Sequence, residues 1–303
     1  MWFKNLRLYR LTAPLPCEIG EMEGLLAERA FTPCSGLDTA RTGWVGALVP
    51  QDGALLHSHG AWHLLCARTQ TRVLPASAIR EAVDEQVLVR EAREGRKLGR
   101  RERADLKDEM VQALLPRALT RSQLTRAILA EESGWLMIDS GPAPRAEDLL
   151  GLLRESLGSL AVKPLVPARN PAELMTQWLS GARLPKRLRL GEHCDLRDPL
   201  HQKNVVRCRA QELATREVRN HLEAGKQVFG LGLGWNERLQ FVLAEDLALH
   251  GIRYEDVRER DAGEQTGESE AEELGRLDAD FVLMAMELEK AMQELVEVFG
   301  VAD

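Results

Sequence analysis

The run Arg93-Glu94-Gly95-Arg96-Lys97-Leu98-Gly99-Arg100-Arg101-Glu102-Arg103-Ala104-Asp105-Leu106-Lys107 concentrates the residue types that bind a polyanion. On an ideal helix, at about 100° per residue, Arg93, Arg96, Arg100, Arg103 and Lys107 fall on one face. Glu94, Glu102, Asp105, Asp108 and Glu109 fall on the opposite one. The whole segment 93–126 is basic, and a second basic cluster occupies 183–209, with Arg183, Lys186, Arg187, Arg189, Arg197, Lys203, Arg207 and Arg209. From Glu259 onward the chain is strongly acidic. With a net charge of −7 the chain is no simple basic nucleic-acid binder, so the sorting of charge says more than its sum. A sorted cationic stripe points to a polyanion; the plain alternative is a solvated helix laced with i,i+4 ion pairs. The stripe holds no aromatic residue on which a base could stack, so any nucleic-acid contact runs through phosphates. That favours duplex contact without sequence reading.

Three other constellations invite chemistry. Gly230-Leu231-Gly232-Leu233-Gly234 is glycine-rich, but a phosphate loop needs its glycines to open a helix. Here Trp235-Asn236-Glu237-Arg238 and an alternating strand follow, so the glycines read as a strand end before a hairpin turn. His57, His59 and His63, near Cys66, could share one face of a strand; no carboxylate at ligand spacing joins them, and they read as surface or part-buried histidines. His193, Cys194, His201 and Cys208 lack closed zinc spacing. GxSxG, HExxH and paired-carboxylate motifs do not occur. The reading therefore assigns no catalytic residue, metal ligand or cofactor, and expects a protein that is not an enzyme.

A length of 303 residues suggests about two domains, and 44% hydrophobic with 29% charged residues suits a globular protein with a sizeable core. No apolar run approaches the roughly 20 residues of a membrane span. The start, Met1-Trp2-Phe3-Lys4-Asn5-Leu6, lacks the basic and apolar regions of a signal peptide. The five cysteines are widely spread without CxxC and read as free thiols of a cytoplasmic protein.

Periodicity supplies the elements that must carry the basic residues. Residues 2–12 read as a strand, 18–31 as a helix, and 44–49 and 54–73 as strands. After Pro75 come two helices, 78–93 and 100–115, joined at Gly95 and Gly99 and ended by Pro116: an αα-hairpin inserted between strands. Strands at 124–130 and 135–139, a helix at 146–157 and a strand at 162–166 follow, with Pro164, Pro167 and Pro171 at a boundary. The last part reads as helix 171–179, strands near 187–190 and 204–209, helix 211–222 and strands near 227–233, 238–243 and 251–255. An acidic linker at 259–272 precedes an amphipathic helix over 272–298, which must pack on the core or on a second subunit. The fold class is α+β: a central antiparallel-sheet domain (1–75 and 120–168), an inserted helical tip (76–119) and a base domain (169–303) with the long C-terminal helix.

Several stretches resemble the RdgC family of recombination-associated nucleoid proteins. They are Trp2–Leu6 with Tyr9-Arg10-Leu11, Val73-Leu74-Pro75, Gly95–Glu102, Leu106–Glu109, Leu114–Ala118, Arg207–Leu213 and Phe241-Val242-Leu243, in order along essentially the whole chain. The resemblance implies a homodimer closed into a ring around duplex DNA, bound without sequence preference and limiting access by RecA-type recombinase. It also implies a cytoplasmic, nucleoid-associated location, with single-stranded DNA left open as a ligand. On that reading Arg93, Arg96, Lys97, Arg100, Arg101, Arg103 and Lys107 contact DNA, aided by Arg117, Arg121, Lys186, Arg187, Arg189, Lys203, Arg207, Arg209 and Gln211. Where the family usually has a Phe after Leu-Leu-Pro-Arg-Ala, this chain has Leu119, expected at a tip-to-tip dimer contact; the plain alternative is a core leucine. Two rival functions remain open: a metal-dependent nuclease with a dispersed carboxylate site, and a module that meets the recombinase directly through its basic face.

Overall fold

The computed structural model describes residues 1–51, 53–255 and 270–300. Its twelve strands are β1 (Asn5–Leu11), β2 (Ala40–Val45), β3 (Leu56–His59), β4 (Trp62–Val73), β5 (Leu119–Ala130), β6 (Trp135–Ile138), β7 (Val162–Pro164), β8 (Leu188–Arg197), β9 (Val205–Arg209), β10 (Gln227–Trp235), β11 (Leu239–Ala244) and β12 (Leu249–Tyr254). The helices are α1 (Ile19–Ala27), α2 (Ala76–Glu94), α3 (Arg100–Leu114), α4 (Ala143–Leu157), α5 (Pro171–Leu179), α6 (Arg216–Glu223) and α7 (Glu270–Phe299). The fold is α+β, built on one antiparallel sheet of order β2-β4-β5-β6-β1-β12-β11-β10-β8-β9, with β3 on β4 and β7 on β1. β1 joins its two halves: Asn5 and Leu6 pair with β12, while Arg7 to Arg10 pair with β6.

Alternation along the strands gives the sheet two apolar faces. One face buries Tyr9, Trp44, Leu65, Ala127, Leu129 and Ile138 beneath Met22 and Leu26 of α1 and Leu149, Leu150 and Leu153 of α4. The other carries Leu6, Leu8, Leu64, Ile128, Leu231, Leu233 and Phe241 against α5 and α7. The amphipathic pattern of α7 resolves into core packing: Phe281, Met284, Leu288, Met292, Leu295 and Phe299 are fully buried, and Leu274 alone of the patterned residues is exposed. Its polar residues dock as well. Asp278 meets His57 of β3 at 2.7 Å, Glu289 accepts from the Trp62 indole at 2.7 Å, and Glu294 accepts from the Trp235 indole at 2.8 Å. Glu287 accepts from Arg238 at 2.6 Å. These acidic residues of the C-terminal stretch are therefore spent on holding the helix across both halves of the sheet.

Several element boundaries differ from the sequence reading. β5 begins at Leu119 rather than Leu124, because residues 119–124 are exposed and carry no apolar alternation to signal a strand. β8 is a single ten-residue strand, since Gly191, Glu192 and His193 hide its periodicity. α6 starts after Thr215, whose hydroxyl accepts from the Val218 N–H, so Gln211 lies outside it. The expected linker over 259–272 falls largely outside the described residues.

Candidate nucleic-acid interface

α2 and α3 emerge from the end of the β4–β5 ladder, where Val73 pairs with Leu119. Their shared core is small: Val87, Leu98 and Leu106 are buried, with Val83 and Met110 beside them. The turn between them depends on glycine at Gly95, which closes α2 at φ +65°. Glu102 starts α3 by accepting from the Gly99 N–H at 2.8 Å.

The helix break changes the stripe. Arg93 ends α2, Arg96 and Lys97 lie in the turn, and the remaining cations ride on α3. Three of the expected DNA contacts serve the turn itself. Arg96 forks onto Glu102 at 2.9 and 2.6 Å and meets Glu94 at 2.7 Å. Lys97 and Arg103 both bind Glu91, at 2.8 and 3.1 Å, and Glu91 also accepts from the Leu98 N–H at 3.0 Å. These partners hold the carboxyls of Glu91 and Glu102 well below the ordinary range, at about 2 each, the hydrogen bonds from Lys97 and Arg96 respectively being the largest cause. Glu94 and Glu102 thus stand beside the cations rather than opposite them, because an unbroken helix was the wrong frame for residues 95–99. Arg103 and Lys107 line a cleft against Ala76, Ile79, Arg80 and Val83 of α2.

Arg93, Arg100, Arg101, Lys107, Arg117 and Arg121 are exposed and have no ion-pair partner among the described residues. Leu119 is 82% exposed, which removes the core-leucine alternative. Leu88 and Val89 of α2 and Val73 are exposed apolar residues of the same region.

The second cluster surrounds the face of β8–β12 that no helix covers among the described residues. Its centre is the glycine motif, which forms the end of β10 before the turn into β11, as expected: Gly230, Gly232 and Gly234 pair with Ala244, Val242 and Gln240 of β11. Leu231 and Leu233 point into the core, so the alternating glycines leave the other side of β10 bare. Side chains from β8 lie across the gap. A Cβ on Gly232 would stand 2.9 Å from the His193 Cβ, and one on Gly234 would stand 2.7 Å from the Arg189 Nε. The result is a shallow cavity of about 1000 Å3, lined among others by Arg189, His193, Arg209, Gln240, His250 and Arg253. Asp195 accepts from Arg209 at 2.7 Å, and Glu237 from Arg189 at 3.4 Å. Burial holds the His193 imidazole below its ordinary value, against the pull of Asp195, and burial lowers His250 likewise.

Lys186, Lys203 and Arg207 are exposed without an ion-pair partner among the described residues, whereas Arg187 approaches Glu294 at 3.8 Å. Gln211 is exposed, just beyond the Ala210 backbone at φ +51°. Sequence reasoning did not single out Arg253, Gln240 and His250, and weighed His193 only as a metal ligand; the available signal was the strict Gly-Leu alternation, the mark of a strand with one bare face. The histidines divide as well: His57 and His59 both approach Asp278, at 2.7 and 3.5 Å, while His63 turns to Ser58. Among the described residues no group of three or more His, Cys, Asp or Glu is placed to hold a metal ion, and no helix is long and apolar enough to cross a membrane.

Comparison with known proteins bears on what these surfaces serve. A family model described as "RdgC: Putative exonuclease, RdgC" matches residues 1–302. Relatives described as recombination-associated protein RdgC include one from Proteus mirabilis, 40% identical over 301 residues, covering 99% of this chain and 98% of the relative. One from Halorhodospira halophila is 40% identical over 300 residues, with 99% and 98% covered. One from Pseudomonas aeruginosa is 38% identical over 301 residues, with 99% and 97% covered.

Proposed function

The chain belongs to the RdgC family of recombination-associated proteins, and from that premise we propose that it binds duplex DNA without sequence preference, as a ring-shaped homodimer. The observation that carries this reading is the set of exposed cations left without carboxylate partners in a chain of net charge −7. Arg93, Arg100, Arg101, Lys107, Arg117 and Arg121 supply phosphate contacts at the helical tip, and Lys186, Lys203 and Arg207 supply them at the base. Arg96, Lys97 and Arg103 act by holding the tip, and Arg187, Arg189 and Arg209 are available once DNA phosphate competes with their carboxylates. A ring is acidic outside and cationic within, which reconciles the net charge with a polyanionic ligand.

The tip (76–119), the central unit (1–75 and 120–168) and the base (169–303) divide the labour. Leu119, exposed where the tip leaves the sheet, meets its counterpart in the second subunit and closes the ring. Enclosed DNA is withheld from RecA-type recombinase by occupancy, in the cytoplasm and on the nucleoid, and no cofactor is needed for that. The test is duplex DNA affinity against salt on unrelated sequences, with and without magnesium. A steep log–log slope common to all sequences, with the DNA intact, is the expected result; flat or absent binding contradicts it.

A second reading, exonuclease action, rests on the wording of the family model. Magnesium-dependent shortening of the DNA in the same experiment would establish it.

A further inference from the structure

β8 and β9 set two cysteines face to face. Cys194 and Cys208 are direct partners in the antiparallel register, and both thiols are free. Both lie on the core side of the sheet, Cys194 fully buried and Cys208 8% exposed. Directly opposed residues of an antiparallel ladder have Cα atoms about 4.5–5.5 Å apart, within the roughly 4.4–6.8 Å that a disulfide spans. Among the described residues β9 is the last strand of the sheet, so this pair can open to solvent by local fraying, without unfolding the core.

We propose that Cys194 and Cys208 form a redox site, a dithiol that a small-molecule disulfide converts into an intrachain disulfide fastening β9 to β8. Cys208, the more accessible of the two, loses its proton and attacks one sulfur of the oxidant RSSR. A mixed disulfide forms and RS⁻ leaves. Cys194 then loses its proton and attacks the Cys208 sulfur, which forms the intrachain bond and expels the second RS⁻. The two leaving groups take up the two protons, so two thiols and one disulfide become one disulfide and two thiols.

Burial, reinforced by the adjoining Cys208, pushes the Cys194 thiol up to about 12. The second step is therefore slow at neutral pH and quickens as pH rises. The bond closes the β8–β9 hairpin, whose outer strand carries Arg207 and Arg209 and leads to Gln211. It stands whether or not the chain binds DNA.

The test uses the full chain with oxidised glutathione over a pH series, quenched in acid, alkylated under denaturing conditions and mapped by mass spectrometry. The expected result is a linked Cys194–Cys208 peptide pair, lighter by two hydrogens, with two fewer alkylated thiols. The yield rises with pH, and dithiothreitol reverses it. Cys208→Ser abolishes the link to Cys194, and the map of the unmutated chain decides the matter if that variant fails to fold. The proposal is overturned if both thiols remain alkylatable, if glutathione stays on Cys208 as a mixed disulfide, or if either cysteine pairs with Cys17, Cys34 or Cys66.

Discussion

Arg103 of α3 donates to the carboxylate of Glu91 on α2 at 3.1 Å, so a residue of the cationic stripe closes the tip on itself. Glu91 also binds Lys97 and the Leu98 N–H, and this shared carboxylate is what keeps the turn in place over a core of three buried residues. Its pKa is depressed from 4.5 to about 2 in the folded chain, so its contribution is complete above pH 4.5 and disappears as pH falls toward 2. Amide protection in α2 and α3, taken relative to the intrinsic exchange rate at each pH, is expected to fall across that window. Glu91→Gln lowers that protection at neutral pH and weakens the dependence, leaving the part owed to Glu102. Exchange in the tip that is the same in both proteins would refute the role given to Glu91.

Gly232→Ala places a methyl group 2.9 Å from the His193 Cβ and 3.0 Å from its carbonyl oxygen, where backbone cannot yield. A loss of about 1–3 kcal/mol in urea unfolding is expected. Gly234→Ala meets mainly the flexible Arg189 side chain, so it costs less stability and displaces the guanidinium instead. Equal unfolding midpoints for the two variants would contradict this description of β10.

Leu119→Ser changes an exposed side chain, so stability should stay within about 0.5 kcal/mol of the parent. If Leu119 closes the ring, the variant binds circular duplex DNA less tightly and shows a smaller dimer fraction by sedimentation. Unchanged affinity and mass would remove Leu119 from the interface.

Legibility in the sequence followed burial. α5 matches its expected span, because Leu174, Met175, Trp178 and Leu179 give a full helical period under an Asn170 cap. The sheet and the C-terminal helix were legible for the same reason, their buried apolar periods, whereas the inserted helix pair, with only Val87, Leu98 and Leu106 buried, was legible from Pro75, Gly95, Gly99 and Pro116 at its boundaries. The outer half of β5 and the middle of β8 were not, because their residues face solvent or carry Gly and His where alternation should show. The basic residues were legible as a set but not by role. Whether Arg100 stands free while Arg103 is paired depends on where Glu91 arrives from the preceding helix, and linear spacing does not encode that across Gly95 and Gly99. The glycine motif was legible as a strand end before a hairpin turn, but its bare face was not, being a property of the neighbouring strands β8 and β11 as much as of its own residues.

The most direct test compares two variants in the salt dependence of duplex DNA binding. One replaces the unpaired Arg100, Arg101, Arg117 and Arg121 with Ala; the other replaces the paired Arg96 and Arg103. Removing one cation from a DNA phosphate lowers the log–log slope by about 0.9, so the first variant, which takes four cations from each subunit of the ring, should lose up to roughly 7 from the slope of the dimer, equally on every sequence. The second should lose mainly tip stability. A first variant with the parent's slope and affinity would contradict the assignment of these cations to DNA.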